Sequence, residues 1–360
     1  MRILYAIQGT GNGHVTRARD IIPILKEQHE VDVLISGRHT EVALPYDIKY
    51  RFQGLGFVFG KKGGIDLMAT YKNNKIRILL EEINSLPVEE YDLVINDFEP
   101  VSAWACAAKN VKCISLSHQA AVLNKYAPQP QKIDIVGRTV LKKYAPTDAQ
   151  YGFHFKPYDK QIFTPVIRQE IRSQRPVTKD HYTVYLPAYD DKRIIKVLSL
   201  FKDVKWEVFS KHNKQTVTEN NITIQPIDNE AFIKSMAGCI GVLCGAGFET
   251  PAEALFMKKK LLVIPMKGQY EQQCNAAALK EMGVPVIKKL SMKNAVKIKR
   301  WLSSEKRIAV SYPDATNRII TKILLEHSPK TLHGCAAQEV EIPTAKKFRS
   351  MIFKKIIAQL

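Results

Sequence analysis

The sequence predicts an α/β protein made of two doubly wound parallel-sheet domains. Three observations carry that expectation. Short apolar runs alternate with helical patterns along the chain, as βαβ units require. The 360 residues, 45% of them hydrophobic, supply two cores of ordinary size. Each half contains an apolar strand that runs directly into a glycine-rich turn and then a helix.

The first half opens with an apolar strand over residues 2–8, followed by Gly9-Thr10-Gly11-Asn12-Gly13-His14 and an amphipathic helix through Ile21, Ile22, Ile24 and Leu25. The last two glycines stand too close for the dinucleotide fingerprint, which argues against a nicotinamide enzyme. Residues 92–96 read as a strand, and Asp97-Phe98-Glu99-Pro100 opens a helix over residues 101–108. Asp97 and Glu99 have two readings, as catalytic acids or as helix-start residues favoured by capping and the dipole. A strand at residues 113–116 ends at Ser117-His118-Gln119. Residues 144–179 hold Pro146, Pro157, Pro165 and Pro176 and read as a connection with one extra strand.

The second half begins with a strand at residues 182–186, a helix at 191–201 and strands at 206–209 and 222–225. Residues 239–244 form a buried strand before Gly245-Ala246-Gly247, and the helix that follows carries Thr250 and Pro251 in its first turn and Glu253 one turn on. A helix N-terminus presents free N–H groups and partial positive charge, so it receives an anion without a lysine. Small residues ahead of it let a ligand approach the backbone. After a strand at residues 261–264, Gly268-Gln269-Tyr270 leads into Glu271-Gln272-Gln273-Cys274-Asn275-Ala276. Ligands of open parallel sheets bind at the carboxyl ends of the strands, so both elements point to one crevice.

Residues 9–17 and 245–276 resemble the signatures of GT-B glycosyltransferases. The nearest group contains the family 28-type enzyme that adds N-acetylglucosamine to the peptidoglycan lipid intermediate, the glycolipid synthases and the UDP-glucuronosyltransferases. The resemblance implies two Rossmann-like domains facing across a cleft, and inverting hexosyl transfer from a UDP-sugar. It places the donor on Gly245, Ala246, Gly247, Phe248, Glu249 and Thr250, the ribose on Glu253, and the sugar on Glu271 and Gln272. Many members carry Asp where this chain has Glu271. Pro226-Ile227-Asp228-Asn229 resembles the segment whose isoleucine backbone reads uracil, and equally fits a plain strand exit. Leu186-Pro187-Ala188-Tyr189 stands where relatives often have a Gly-Gly-Ser-like turn, which makes Ser210 and Lys211 candidates for the phosphate. On the acceptor side the resemblance places Gly11, Asn12, Gly13, Arg17 and His118, with His14 as the general base and Asp97 or Glu99 as its partner or substitute. Histidine suits that task because its ordinary pKa, about 6.5, lets it accept a proton near neutrality. Arg17 reads as a clamp for an acceptor phosphate or as a surface arginine. No cofactor and no bound metal are implied.

Domain boundaries fall at 1–160 for acceptor binding, 161–330 for the donor, and 331–360 for a tail with a basic amphipathic helix. On that helix Phe348, Met351, Ile352, Ile356 and Leu360 share one face, which either meets anionic lipid or packs back on the first domain. The formal net charge is +19, and a lipid-linked or envelope acceptor on an anionic membrane surface accounts for it. No nucleic-acid recognition motif accompanies the charge. Six cysteines without metal spacing and the absence of a signal-peptide pattern predict a reduced, cytoplasmic protein, peripheral on the inner face of the membrane. Two other functions share these residues: a UDP-sugar 2-epimerase of the same architecture, and a non-catalytic nucleotide-sugar-binding protein.

Overall fold

The computed structural model describes residues 1–37, 44–55 and 76–328. The expected tail at 331–360, with its amphipathic helix and Cys335, lies outside these residues. The described chain folds around two sheets. The first contains β1 (Arg2–Gln8), β2 (Glu30–Ser36), β3 (Tyr50–Phe52), β4 (Leu93–Asp97), β5 (Cys113–Ser117), β6 (Ala149–Phe153) and β7 (Ile162–Phe163). Their order is β3-β2-β1-β4-β5-β6-β7, and every pairing is parallel. The second contains β8 (His181–Tyr185), β9 (Lys205–Ser210), β10 (Val217–Glu219), β11 (Ile222–Pro226), β12 (Gly241–Gly245) and β13 (Lys260–Ile264), in the order β10-β11-β9-β8-β12-β13. Only β10 runs antiparallel, pairing with β11.

The central strands are largely apolar runs because a parallel sheet is covered on both faces. In β1 all residues from Ile3 to Gln8 are buried. The helix Asn12–Lys26 covers one face with Val15, Ala18, Ile21, Ile22 and Leu25. Pro23 sits inside that helix and cannot donate to the Arg19 carbonyl. The Tyr46 hydroxyl donates to that carbonyl instead, at 3.3 Å.

Strand order reverses between β1 and β4 in the first sheet and between β8 and β12 in the second. Such switch points open a crevice at the strands' carboxyl ends. The residues expected to carry chemistry follow these strands: 9–14 after β1, 97–99 at the end of β4, and 245–250 after β12.

Two expectations change. The connection at 144–179 contributes two strands, β6 and β7, so the first sheet continues past residue 160. Tyr151 and Phe153 of β6 pack into the core with Phe155, while the four prolines stand outside the strands. The helix Thr316–His327, expected with the donor half, packs on the helix Asn12–Lys26. Its Ile319, Ile320 and Ile323 join the same core as Ile21 and Leu25, and Tyr151 Oη lies 2.9 Å from His327 Nε2.

Candidate active site

The site is built where the two sets of strand ends meet. Phe98 adopts a left-handed backbone (φ 57°), a conformation side chains larger than Asn rarely accept. Its ring stacks on Tyr144 with centroids 4.7 Å apart, which holds it there. This turn sends its two acidic neighbours to different tasks.

Glu99 caps the helix Pro100–Lys109. Its carboxylate accepts from Val101 N at 2.7 Å, Ser102 N at 2.6 Å and Ser36 Oγ at 2.5 Å, fully buried. The structure thus corrects the expectation of Glu99 as a catalytic acid, because its lone pairs serve the helix start. Asp97 instead accepts from Arg17 Nε at 3.1 Å and Nη2 at 2.9 Å, and Asp97 Oδ1 lies 2.8 Å from His14 Nδ1. Burial alone would push its carboxyl up; Arg17 and His14 outweigh that and hold it below the ordinary carboxylate range. An ionised Asp97 can only accept, so the Nδ1 of His14 donates to it and the ring's Nε2 faces Gln119. Gln119 Nε2 lies 3.4 Å from that Nε2, as a donor would, and also donates to Glu271 Oε2 at 2.9 Å. Gln119 Oε1 is buried with no partner among the described residues.

Arg17 is buried too, so neither a surface role nor an exposed phosphate clamp fits it. Its Nη1 donates to Glu249 Oε1 at 2.8 Å, across the joint between the two sheets. Glu249 therefore faces the first glycine loop and not a donor. Gly11 precedes the helix with φ 112°, a backbone conformation that favours glycine. Asn12 and Gly13 form the first positions of the helix that presents His14.

His118 leaves the acceptor wall for the joint. Its Nδ1 lies 2.8 Å from the Phe153 carbonyl, its Nε2 lies 2.8 Å from Asn275 Oδ1, and its ring stacks on Phe248 at 3.9 Å. Both nitrogens are engaged and the residue is buried, so neither is free for an acceptor. Phe248, expected at the donor, belongs to the same stack and also meets Phe155. Asn275 Nδ2 donates back to the Ala246 carbonyl at 3.2 Å, which ties the joint to the Gly245-Ala246-Gly247 turn.

On the donor side, Gly247 has no atom within 4 Å of where a Cβ would stand, and Gly245 has none closer than 3.7 Å. Neither glycine has a positive φ, so their smallness leaves room above the backbone. Thr250 lies in the first turn of the helix Glu249–Phe256. Glu253 receives Arg168 Nε at 2.6 Å and Nη2 at 3.0 Å. Burial pushes its carboxyl up and Arg168 draws it back, with the net direction upward. Gln272 Oε1 accepts from Met266 N at 2.9 Å, fixing the loop after β13. Ser210 is turned away: its Oγ donates to Asp191 Oδ1 at 2.6 Å and accepts from His212 N at 3.1 Å, one strand removed from the switch point. Ile227 follows β11 just ahead of Asp228, which caps the next helix through Ala231 N at 2.8 Å.

A family model described as Glycosyl transferase family 1 matches residues 1–304. The chain belongs to this family. Solved structures of like fold agree. S. aureus MnaA with UDP superposes with a TM-score of 0.57 at 11% identity, covering 94% of this chain and 99% of that one. Acinetobacter baumannii MurG gives 0.55 at 13%, covering 90% and 99%. Arabidopsis thaliana UGT89C1 complexed with UDP gives 0.55 at 11%, covering 99% of each. No curated protein matches the chain. The fold is GT-B, and the activity of a family 1 glycosyltransferase is sugar transfer. Arg168 of this glycosyltransferase escaped the sequence; Gln119 and Asn275 stood within its motifs, but their bridging roles were not readable there. Arg168 is one of 54 basic residues and lies in the connection between sheets, where nothing in its neighbours marks it. Among the described residues no helix is long and apolar enough to cross a membrane.

Proposed function

We propose that the chain transfers a hexosyl unit from a UDP-sugar to an acceptor hydroxyl with inversion, His14 acting as general base and no resident metal taking part. The observation that carries this reading is the 2.8 Å contact between His14 Nδ1 and Asp97 Oδ1, with the imidazole 12% exposed. Direct displacement at an anomeric carbon requires one group to take the acceptor proton as the sugar becomes cation-like. A carboxylate on Nδ1 orients the ring and stabilises the imidazolium that forms, which leaves Nε2 for that proton.

The open space at Gly245 and Gly247, at the start of a helix, supports a diphosphate there. Thr250 adds a hydroxyl to it, and Glu253 and the Ile227 backbone are the proposed ribose and uracil contacts. Two of the structures of like fold, MnaA and UGT89C1, are complexes with UDP, which favours uridine. Glu271 and the unpartnered Gln119 Oε1 offer acceptors for sugar hydroxyls. A lipid-linked acceptor at an anionic membrane surface, met from the cytoplasmic side, suits the net charge of +19.

Thermal-shift measurements against UDP, ADP, GDP and a panel of UDP-sugars test the donor. Uridine nucleotides are expected to raise the melting temperature; stabilisation by non-uridine nucleotides alone refutes the assignment. Release of UDP from the stabilising sugar nucleotide, lost in His14→Ala, tests the base. Full turnover in that variant removes His14 from the role.

A further inference from the structure

Resting on that reading of His14, we infer that Glu249, a residue of the donor-side helix, is the counter-charge that lets His14 take up its proton. The polar cluster around His14 is largely shielded from water: Arg17 and Asp97 are buried and the imidazole is 12% exposed. A charge gained there is therefore favoured by a nearby counter-charge, because an uncompensated ion in such a place is disfavoured. Arg17 and Asp97 cancel each other. Proton transfer to His14 adds a positive charge, and Arg17 Nη2 stands only 3.2 Å from His14 Nδ1. With those three groups alone, the protonated cluster carries a surplus positive charge. Glu249 Oε1, 2.8 Å from Arg17 Nη1, supplies the second negative charge and brings the protonated cluster to neutrality.

The other groups facing His14 do not replace it. Glu271 is reached only through the Gln119 amide, and Tyr5 lies behind Asp97 with its hydroxyl pushed well above the ordinary range by burial. Gly13 gives independent support. A Cβ at Gly13 would lie 2.5 Å from the Glu249 carboxylate carbon, so the first turn of the helix Asn12–Lys26 is bare where this side chain crosses it. Glu249 stands at the first position of the helix after Gly245-Ala246-Gly247. Its charge reaches Arg17 only when the donor half is docked on the first sheet. Glu249 is a positioning residue, and it makes the base strongest in the closed protein.

The test is an NMR titration of the His14 Cε1–H resonance in the full chain, assigned by its loss in His14→Gln. Glu249→Gln keeps an oxygen for Arg17 and removes the charge. The midpoint in Glu249→Gln is expected to fall by roughly half to one pH unit, the effect of one charge a guanidinium away. Gly13→Ala, which displaces the carboxylate while sparing Arg17 and Asp97, shifts the midpoint the same way and serves if Glu249→Gln does not fold. A merely structural latch would leave the midpoint in place. A change under about 0.2 units in a folded variant overturns the inference. It leaves the base assignment standing, since that falls only if His14→Ala keeps its turnover.

Discussion

Replacing Asp97 by Asn probes the site most directly, because the shape is kept while three interactions change. Asp97 accepts from Arg17 Nε and Nη2 and from His14 Nδ1, at 3.1, 2.9 and 2.8 Å. An amide has one oxygen, so at least one of these donors meets an N–H. Removing one member of a buried ion pair costs about 3–5 kcal/mol, because the other charge stays behind. Here Glu249 still holds Arg17 from the far side, although it is itself 30% exposed. The expected loss is therefore near the low end, about 3 kcal/mol out of a typical 5–15. For a domain of this size that lowers Tm by roughly 6–12 °C. Turnover falls by about 10²–10⁴-fold, since His14 loses both its orientation and the charge that stabilises imidazolium. The pH dependence has a definite sign. A carboxyl held down by the fold contributes stability above its unfolded value of about 3.9, and that contribution is lost as pH falls through the lower native value. Asp97→Asn should therefore flatten the acid-unfolding limb below about pH 4. Differential scanning fluorimetry across pH and UDP release at pH 7 read the two effects. Wild-type melting together with turnover within threefold of wild type would mean that Asp97 neither holds Arg17 nor orients His14.

Glu99→Gln separates capping from catalysis. It should cost about 1–2 kcal/mol of stability with turnover per folded molecule retained, as melting and active-site-normalised rates will show. Gly247→Ala should melt within about 1 kcal/mol of wild type, since nothing crowds the added methyl, yet lose most of the UDP-induced thermal shift. An unchanged UDP shift would remove the diphosphate from that turn. Cys274, whose thiol burial pushes up to about 11, should resist iodoacetamide at pH 8 in the folded protein and react on denaturation, as peptide mass mapping will report.

Much of the fold was legible because central strands such as β1, β12 and β13 are largely apolar, buried runs bounded by turn residues. The strand read at residues 92–96 is offset from β4 by one residue, and the one at 261–264 starts one residue later than β13. β6 and β7 were less visible, because prolines and charges surround a short strand in the connection. In the site, the glycine turns were readable from composition alone, whereas the pairing of Arg17 with Glu249 joins residues 232 apart. No local pattern encodes such a contact. Asp97 and Glu99 show a second limit. They differ in fate through the left-handed backbone of Phe98, which a phenylalanine in a sequence gives no reason to expect. His118 was placed correctly at a strand end, yet its direction depends on Asn275 and Phe248 from the other sheet.

The helix Thr316–His327 has a consequence for how the protein is made. It seals the face of the helix Asn12–Lys26, so the domain that leaves the ribosome first cannot be finished until the whole second domain has been synthesised. Until then an apolar seam around Ile21, Leu25 and Tyr151 stays uncovered, open to chaperones or to another nascent chain. Closure of the first domain is thereby a late event, and its interval of vulnerability is set by the speed of translation.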